Sequence, residues 1–88
     1  MRLHGAVIRE QGVTFAIIIV KKYVVDSRFR ANETIESLQS EFQNIPIVLM
    51  AQDHRDTPTY YGRYDIVNFL KNISIRRIPW KIYYLREC

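Results

Sequence analysis

Three segments of the chain are rich in β-branched and aromatic side chains, and polar residues separate them. The first lies around Val7 and Ile8, the second covers residues 13–25, and the third covers residues 47–51. Such side chains fit the pleated surface of a sheet and lose rotamer freedom in a helix. The pattern therefore predicts three strands. The first two are predicted to form a hairpin through a short turn at residues 10–12, where glycine accepts positive φ.

Between the second and third strands, apolar residues recur at helical spacing. Ile35, Leu38 and Phe42 are three and four positions apart, which places them on one stripe of a helix. Asn32 is a suitable N-cap for this helix. Pro46 disfavours helical backbone at the residue before it, so the helix is predicted to end shortly before that proline.

A second helix and a last strand are predicted in the final third of the chain. Residues 65–71 carry Ile66, Phe69 and Leu70 on one helical face. Residues 80–85 follow Pro79 and alternate in the manner of a strand. The alternation predicts a buried face and a solvated face. The predicted buried residues are Trp80, Ile82 and Tyr84, and the predicted solvated residues are Lys81 and Tyr83.

The element order predicted from these patterns is β-β-α-β-α-β, which indicates an α/β (α+β) fold. With 88 residues, the chain is predicted to form a single small domain over residues 1–88. The expected architecture is a mixed four-stranded sheet with two helices packed against it. The second and third strands are expected to be parallel and joined by a right-handed crossover.

Composition narrows the classes of protein to consider. The longest apolar run, residues 13–20, is well short of the roughly 20 residues that a membrane-spanning helix needs. The sole cysteine, Cys88, cannot form a disulfide within the chain. We therefore expect a cytoplasmic protein without a membrane segment. No phosphate-binding glycine motif occurs, and we expect neither a cofactor nor a bound metal.

The segment after the third predicted strand holds the candidate catalytic residues. Ligands of open α/β sheets bind beyond the carboxyl ends of parallel strands. Asp53, His54 and Asp56 lie at that position, and His54 is the candidate general base. A zinc site needs three or four ligands, and His4 is the only other histidine. These residues therefore suggest acid–base chemistry rather than metal binding.

Donors for an anion or another ligand follow in the same segment, residues 52–65. The alternative is a surface loop whose tyrosines pack against the core. An enzyme built on this loop would bring Asp53, His54, Tyr61 and Arg63 into one pocket. The candidate ligand-binding residues are Thr57, Thr59, Tyr60, Tyr61 and Arg63.

Charge is distributed unevenly along the chain, whose formal net charge is +4. Residues 1–30 and residues 57–88 each carry a net charge of +4, and residues 31–56 carry −4. The C-terminal segment interleaves basic and aromatic side chains, which can contact phosphates and stack on bases. The alternative is a strand with one packed face. The candidate nucleic-acid-binding residues are Arg76, Arg77, Lys81 and Tyr83.

The function expected from the sequence is that of a small noncatalytic binding or adaptor domain that engages an acidic partner through basic strand ends. We also expect a homo-oligomer, because eleven Phe, Tyr and Trp residues are many for one small core and such residues are enriched in interfaces. Two alternatives remain open: nucleic-acid binding by the basic and aromatic C-terminal segment, and a small enzyme or anion site in residues 52–65.

Overall fold

The computed structural model describes residues 2–52 and 57–85, which form a small single α+β domain around a mixed five-stranded sheet. The strands are β1 (Arg2–Glu10), β2 (Val13–Ile19), β3 (Ile47–Gln52), β4 (Pro58–Tyr61) and β5 (Lys81–Tyr84). The helices are α1 (Lys22–Val25), α2 (Arg28–Leu38) and α3 (Tyr64–Lys71), with 3-10 turns at Ser40–Phe42 and Ile75–Arg77.

The strand order across the sheet is β4-β3-β2-β1-β5. β2 and β3 are parallel, as the sequence predicts, and the other three neighbouring pairs are antiparallel. The prediction of four strands was wrong, because β4 lies in the stretch expected to be a loop. Thr59, Tyr60 and Tyr61 are good strand formers, and an edge strand tolerates Pro58 at its start.

The predicted hairpin between β1 and β2 is confirmed, with Glu10 opposite Val13. Its two connecting residues, Gln11 and Gly12, have φ values of 51° and 79°. Positive φ at both central positions is the geometry of a two-residue turn that matches the right-handed twist of the strands. Glycine adopts this conformation without a steric penalty, so its presence in the sequence is a direct reason for the turn.

The first long helix starts earlier than predicted. Ser27 is the N-cap of α2, and its hydroxyl accepts a hydrogen bond from the Arg30 N–H at 3.2 Å. The helix ends at Leu38, and the chain then forms a 3-10 turn that buries Phe42. A competing cap at Ser27 thus replaces the predicted start at Asn32. The prediction of a strand over residues 13–25 was wrong at its end, because β2 stops at Ile19 and residues 22–25 form the short helix α1, which is the third helix.

Two hydrophobic clusters cover the two faces of the sheet. On one face, α3 buries Ile66 and Leu70 against Phe15, Ile17 and other residues of the sheet. The opposite face packs against α2 and the 3-10 turn that follows it. Residues 15–18 of β2 are therefore all buried, which explains why this strand is apolar at consecutive positions. We refer to the two sides as the α3 face and the α2 face.

The face assignment predicted for β5 was wrong. Tyr83, predicted to be solvated, packs edge-on against Phe42 with ring centroids 5.2 Å apart. Ile82 and Tyr84, predicted to be buried, are 41% and 79% exposed. Alternation along the strand divides its side chains between two faces, but it does not tell which face is packed. Here the packed face is the one that carries Tyr83, because Phe42 on the α2 face contacts it. Trp80 precedes the strand and packs against the α3-face cluster.

Candidate anion-binding surface

One end of the sheet is formed by the points where the parallel strands β2 and β3 finish. The Val20 N–H donates to the carbonyl of Met50 at 2.9 Å, so the chain leaving β2 stays beside the end of β3. β1 is antiparallel to β2, and Gly5 pairs with Ile18, so the start of β1 lies at the same end. Gln52, the last residue of β3, lies there too.

The chain turns from β2 into two consecutive helices at this end. Lys21 is the N-cap of α1, and the Lys22 ammonium forms an ion pair with Asp26 one helical turn later. Ser27 then starts α2, which packs back along the sheet. We call residues 21–30 the elbow. It carries four basic residues and one acidic residue, a net charge of +3.

Two aromatic side chains of the elbow are exposed. Phe29 is 74% exposed and Tyr23 is 56% exposed. The guanidinium carbon of Arg30 lies 5.3 Å from the centroid of the Tyr23 ring, which is the geometry of a cation–π contact. The elbow therefore presents both cations and aromatic rings to solvent.

The α3 face contributes the second part of this end. Gln52, Ser74, Ile75 and Arg76 line an open cavity beyond the end of β3. The Ser74 hydroxyl accepts a hydrogen bond from the Arg76 N–H at 3.3 Å and so starts the 3-10 turn. Arg76 and Arg77 are both exposed.

Seven exposed basic side chains from four separate segments lie at this end of the sheet, which we call the basic end. Asp26 of the elbow is an acidic residue at this end, whereas Glu10, Glu41 and Asp65 lie around the opposite end, near the turn between β1 and β2 and the start of β2. The basic end consists of Arg2, Lys21, Lys22, Arg28, Arg30, Arg76 and Arg77.

The candidate catalytic residues Asp53, His54 and Asp56 lie outside the described residues. Within residues 2–52 and 57–85, no group of three or more His, Cys, Asp or Glu side chains is placed to hold a metal ion. The expectation of acid–base chemistry at His54 stays a prediction.

The candidate ligand-binding residues from residue 57 onward point in different directions. Thr57 is exposed before β4, and Thr59 pairs with Ala51 within the sheet. Tyr60 packs against the α3-face cluster, and its burial raises the pKa of its hydroxyl. Tyr61 packs on the α2 face, and its hydroxyl donates to the side-chain oxygen of Asn32 at 2.9 Å. The two adjacent tyrosines thus lie on opposite faces.

Arg63 lies at the opposite end of the sheet from Gln52, because β4 runs antiparallel to β3 and leads towards its start. Its guanidinium donates two hydrogen bonds to the Asp65 carboxylate, at 2.8 and 2.9 Å. This contact lowers the pKa of Asp65 and raises the pKa of Arg63, in each case chiefly through the hydrogen bond. The structure therefore does not bring Tyr61 and Arg63 together, and Arg63 already binds a carboxylate.

The structure also divides the candidate nucleic-acid-binding residues. Arg76 and Arg77 belong to the basic end, whereas Lys81 and Tyr83 lie on the α2 face of β5. The Lys81 ammonium lies 4.9 Å from the centroid of the Tyr83 ring. The buried Tyr83 hydroxyl has no hydrogen-bond partner among the described residues, and the ring contacts Phe42. Tyr83 is therefore a packing residue in this fold.

The exposed aromatic residues of the elbow were missed in the sequence analysis, which assigned Tyr23 to the second strand and placed the start of the helix at Asn32, after Phe29. The sequence does contain a signal for an earlier helix start, because Ser27 is a suitable N-cap and is followed directly by Arg28, Phe29 and Arg30. Once a helix is started at Ser27, Ala31 and Leu38 form its buried stripe. Phe29 then lies outside that stripe, and its exposure follows.

Comparisons with protein-family models, with curated proteins and with solved structures found no match to this chain. Among the described residues, no helix is both long enough and apolar enough to cross a membrane.

Proposed function

We propose that this domain is a noncatalytic binding module that engages an acidic partner through its basic end. The observation that carries the proposal is the convergence of exposed basic side chains from separate segments on one end of the sheet. Arg28 and Arg30 come from the first turn of α2, and Arg76 and Arg77 come from the 3-10 turn on the other face. These two pairs of arginines are far apart in the sequence, and it is the fold that places both pairs at the same end of the sheet.

A concentration of like charge has a physical consequence for binding. It creates a local positive potential that attracts anions and accelerates their association, and salt weakens both effects. Asp26 offsets part of the potential through its ion pair with Lys22. The other cations of the elbow, Lys21, Arg28 and Arg30, make no ion pair within the described part of the chain and are free to contact a partner.

The placement of the remaining polar candidates favours binding over catalysis. Tyr60 and Tyr61 pack on opposite faces of the sheet, and Arg63 lies at the far end in contact with Asp65. A single pocket would need these side chains to converge. The exposed basic end, by contrast, suits a broad contact with a flexible or extended anion.

The test is a binding titration with two polyanions, polyglutamate and a single-stranded oligothymidylate, over a series of salt concentrations. Wild-type protein is expected to bind at low salt and to release as salt rises. The double variant Arg28→Glu/Arg76→Glu should weaken binding by about tenfold or more, because two cations become anions. The control Arg9→Glu/Arg63→Glu makes the same change in net charge at the opposite end and should alter affinity by less than about twofold.

Circular dichroism of both variants would establish that each remains folded. Absence of binding to either polyanion at low salt would overturn the proposal. Equal weakening by the two double variants would also overturn it, because binding would then depend on net charge and not on the basic end.

Self-association is a second proposal, and the exposed residues of β5 support it. β5 is an edge strand, and the side chains of Ile82 and Tyr84 are 41% and 79% exposed on one of its faces. Unpaired strand edges can pair with a second copy of the same chain. Light scattering should then give the mass of a dimer, and Tyr84→Lys should reduce it to that of a monomer. A monomeric mass for the wild type would exclude this proposal.

A further inference from the structure

We propose that the elbow binds single-stranded nucleic acid, with Tyr23 and Phe29 stacking on bases and with Lys21, Arg28 and Arg30 contacting phosphates. This inference rests on the proposed function and names its partner class. It concerns residues 21–30 and not the C-terminal segment, in which basic and aromatic residues also alternate along the sequence.

Phe29 is an exposed aromatic residue in the first turn of α2. The buried positions of α2 are Ala31 and Leu38, and Phe29 lies on the other side of the helix. With 74% of its surface exposed, the ring contributes little to the core. A single exposed apolar residue is ordinary, but here the elbow carries a second exposed ring, that of Tyr23.

Arg30 and Tyr23 form a cation–π contact within the elbow. Arg30 holds its guanidinium over the ring at 5.3 Å, while more than half of the Tyr23 surface remains exposed. Aromatic rings and guanidinium planes are the two kinds of protein group on which unpaired bases stack. The pair therefore forms a stacking surface that also carries positive charge.

The segment that carries these two rings is strongly basic. Asp26 is the only acidic residue among residues 21–30, and it is already paired with Lys22. Lys21, Arg28 and Arg30 are exposed and surround the aromatic positions along the chain. A nucleic-acid strand supplies phosphates that these exposed cations can contact and bases that exposed rings can stack on.

These observations favour a single strand over the other polyanions. An acidic peptide offers carboxylates to the cations but nothing that needs two exposed rings. A duplex offers phosphates, but its bases are already stacked on one another. In a single strand, the bases are free to stack on side chains, and each such contact is worth a factor of about ten in affinity.

The experiment compares four probes by fluorescence anisotropy at one low salt concentration: oligothymidylate, an abasic oligonucleotide with the same number of phosphates, a duplex of equal length, and polyglutamate. The abasic strand keeps the charge and removes the bases. Wild-type protein is expected to bind oligothymidylate about tenfold or more tightly than the abasic strand.

The decisive variant is Tyr23→Leu/Phe29→Leu, which removes both rings and keeps apolar side chains of moderate size. Its affinity for oligothymidylate should fall to that of the abasic strand, and its affinity for the abasic strand and for polyglutamate should be unchanged. The control is Tyr64→Leu, because Tyr64 is 79% exposed but lies at the start of α3, away from the basic end. It should bind all four probes as the wild type does.

The outcomes separate this inference from the proposed function. Equal wild-type affinity for oligothymidylate and the abasic strand would overturn the inference and leave the proposed function intact. The inference would also fail, again without touching the proposed function, if the double leucine variant kept the preference for bases, or if the duplex or polyglutamate bound more tightly than the single strand. Absence of binding to all four probes would overturn both proposals.

Discussion

The elbow, residues 21–30, and the C-terminal tail, residues 74–84, contain the same mixture of basic and aromatic residues, but the fold uses the two mixtures differently. In the tail, the Trp80 ring N–H donates to the carbonyl of Ile75 at 3.1 Å, and Tyr83 packs against Phe42. In the elbow, Tyr23 and Phe29 remain exposed. The tail thus uses two of its three aromatic residues for packing, and Tyr84 is the exception.

This comparison teaches that interleaving along the sequence is not the same as proximity on a surface. A strand sends consecutive side chains to opposite faces, so Lys81 and Tyr83 share a face that Tyr84 does not. A helix spreads its side chains around an axis, and positions outside the buried stripe are exposed whatever their hydrophobicity. The periodicity of the element decides whether an aromatic residue is available to a partner.

The largest expected difference in the free energy of unfolding is between two variants, each of which removes one aromatic ring from one of the two regions. Tyr83→Ala should lower the free energy of unfolding by about 2–3 kcal/mol, because it leaves a cavity beside Phe42. Phe29→Ala should change it by less than about 0.5 kcal/mol, because an exposed side chain has few contacts to lose. Denaturant unfolding of both variants measures the two values. Equal destabilisation by the two substitutions would remove the distinction between the regions.

The two serine caps allow a finer comparison, since each region begins a helical segment in the same way. Ser27→Ala should destabilise the protein by about 1 kcal/mol, because the hydroxyl satisfies an N–H of the eleven-residue helix α2. Ser74→Ala should cost about 0.5 kcal/mol or less, because the 3-10 turn that it caps has three residues and few bonds to lose. Thermal unfolding would compare them. A larger effect at Ser74 would mean that the tail, and not the elbow, depends on its cap.

The parts of the fold that could be predicted from the sequence are those in which a local pattern and its tertiary partner agree. The turn at Gln11 and Gly12 was predictable because a two-residue hairpin turn needs positive φ, and glycine adopts positive φ without a steric penalty. The parallel pairing of β2 and β3 followed from two apolar strands separated by a helix. β4 was missed, because a strand of four residues has too short a pattern to distinguish it from a loop with packed tyrosines.

The sequence predicts the positive charge of the basic end, but it does not predict where in the fold the basic residues meet. The excess of basic residues in residues 1–30 and residues 57–88 is visible in the sequence. Their meeting at one end of the sheet depends on the strand order, which the sequence patterns do not contain. The exposure of Phe29 depends on where α2 starts, and either Ser27 or Asn32 is chemically suitable as a cap.

The smallest expected change in stability concerns Tyr60 of β4. Its ring packs against the α3-face cluster, and its hydroxyl is buried with it. Its buried hydroxyl has no hydrogen-bond partner among the described residues, and burial raises its pKa. In the unfolded chain, the phenol ionises near pH 10, whereas in the fold it stays protonated to higher pH. The stability that this difference provides is complete below pH 10 and is lost as the pH rises towards the folded pKa.

Tyr60→Phe should therefore make stability less dependent on pH above 10, and it should raise stability at neutral pH by about 0.5 kcal/mol, because an unsatisfied buried hydroxyl is removed. The measurement is denaturant unfolding at a series of alkaline pH values. Tyr64→Phe is the matched control, since it removes the hydroxyl of a tyrosine that is 79% exposed. An alkaline slope that is the same in Tyr60→Phe as in the wild type would mean that the Tyr60 hydroxyl is solvated in the folded protein. Tyr60 would then belong with the exposed rings of the elbow and not with the packed rings of the tail.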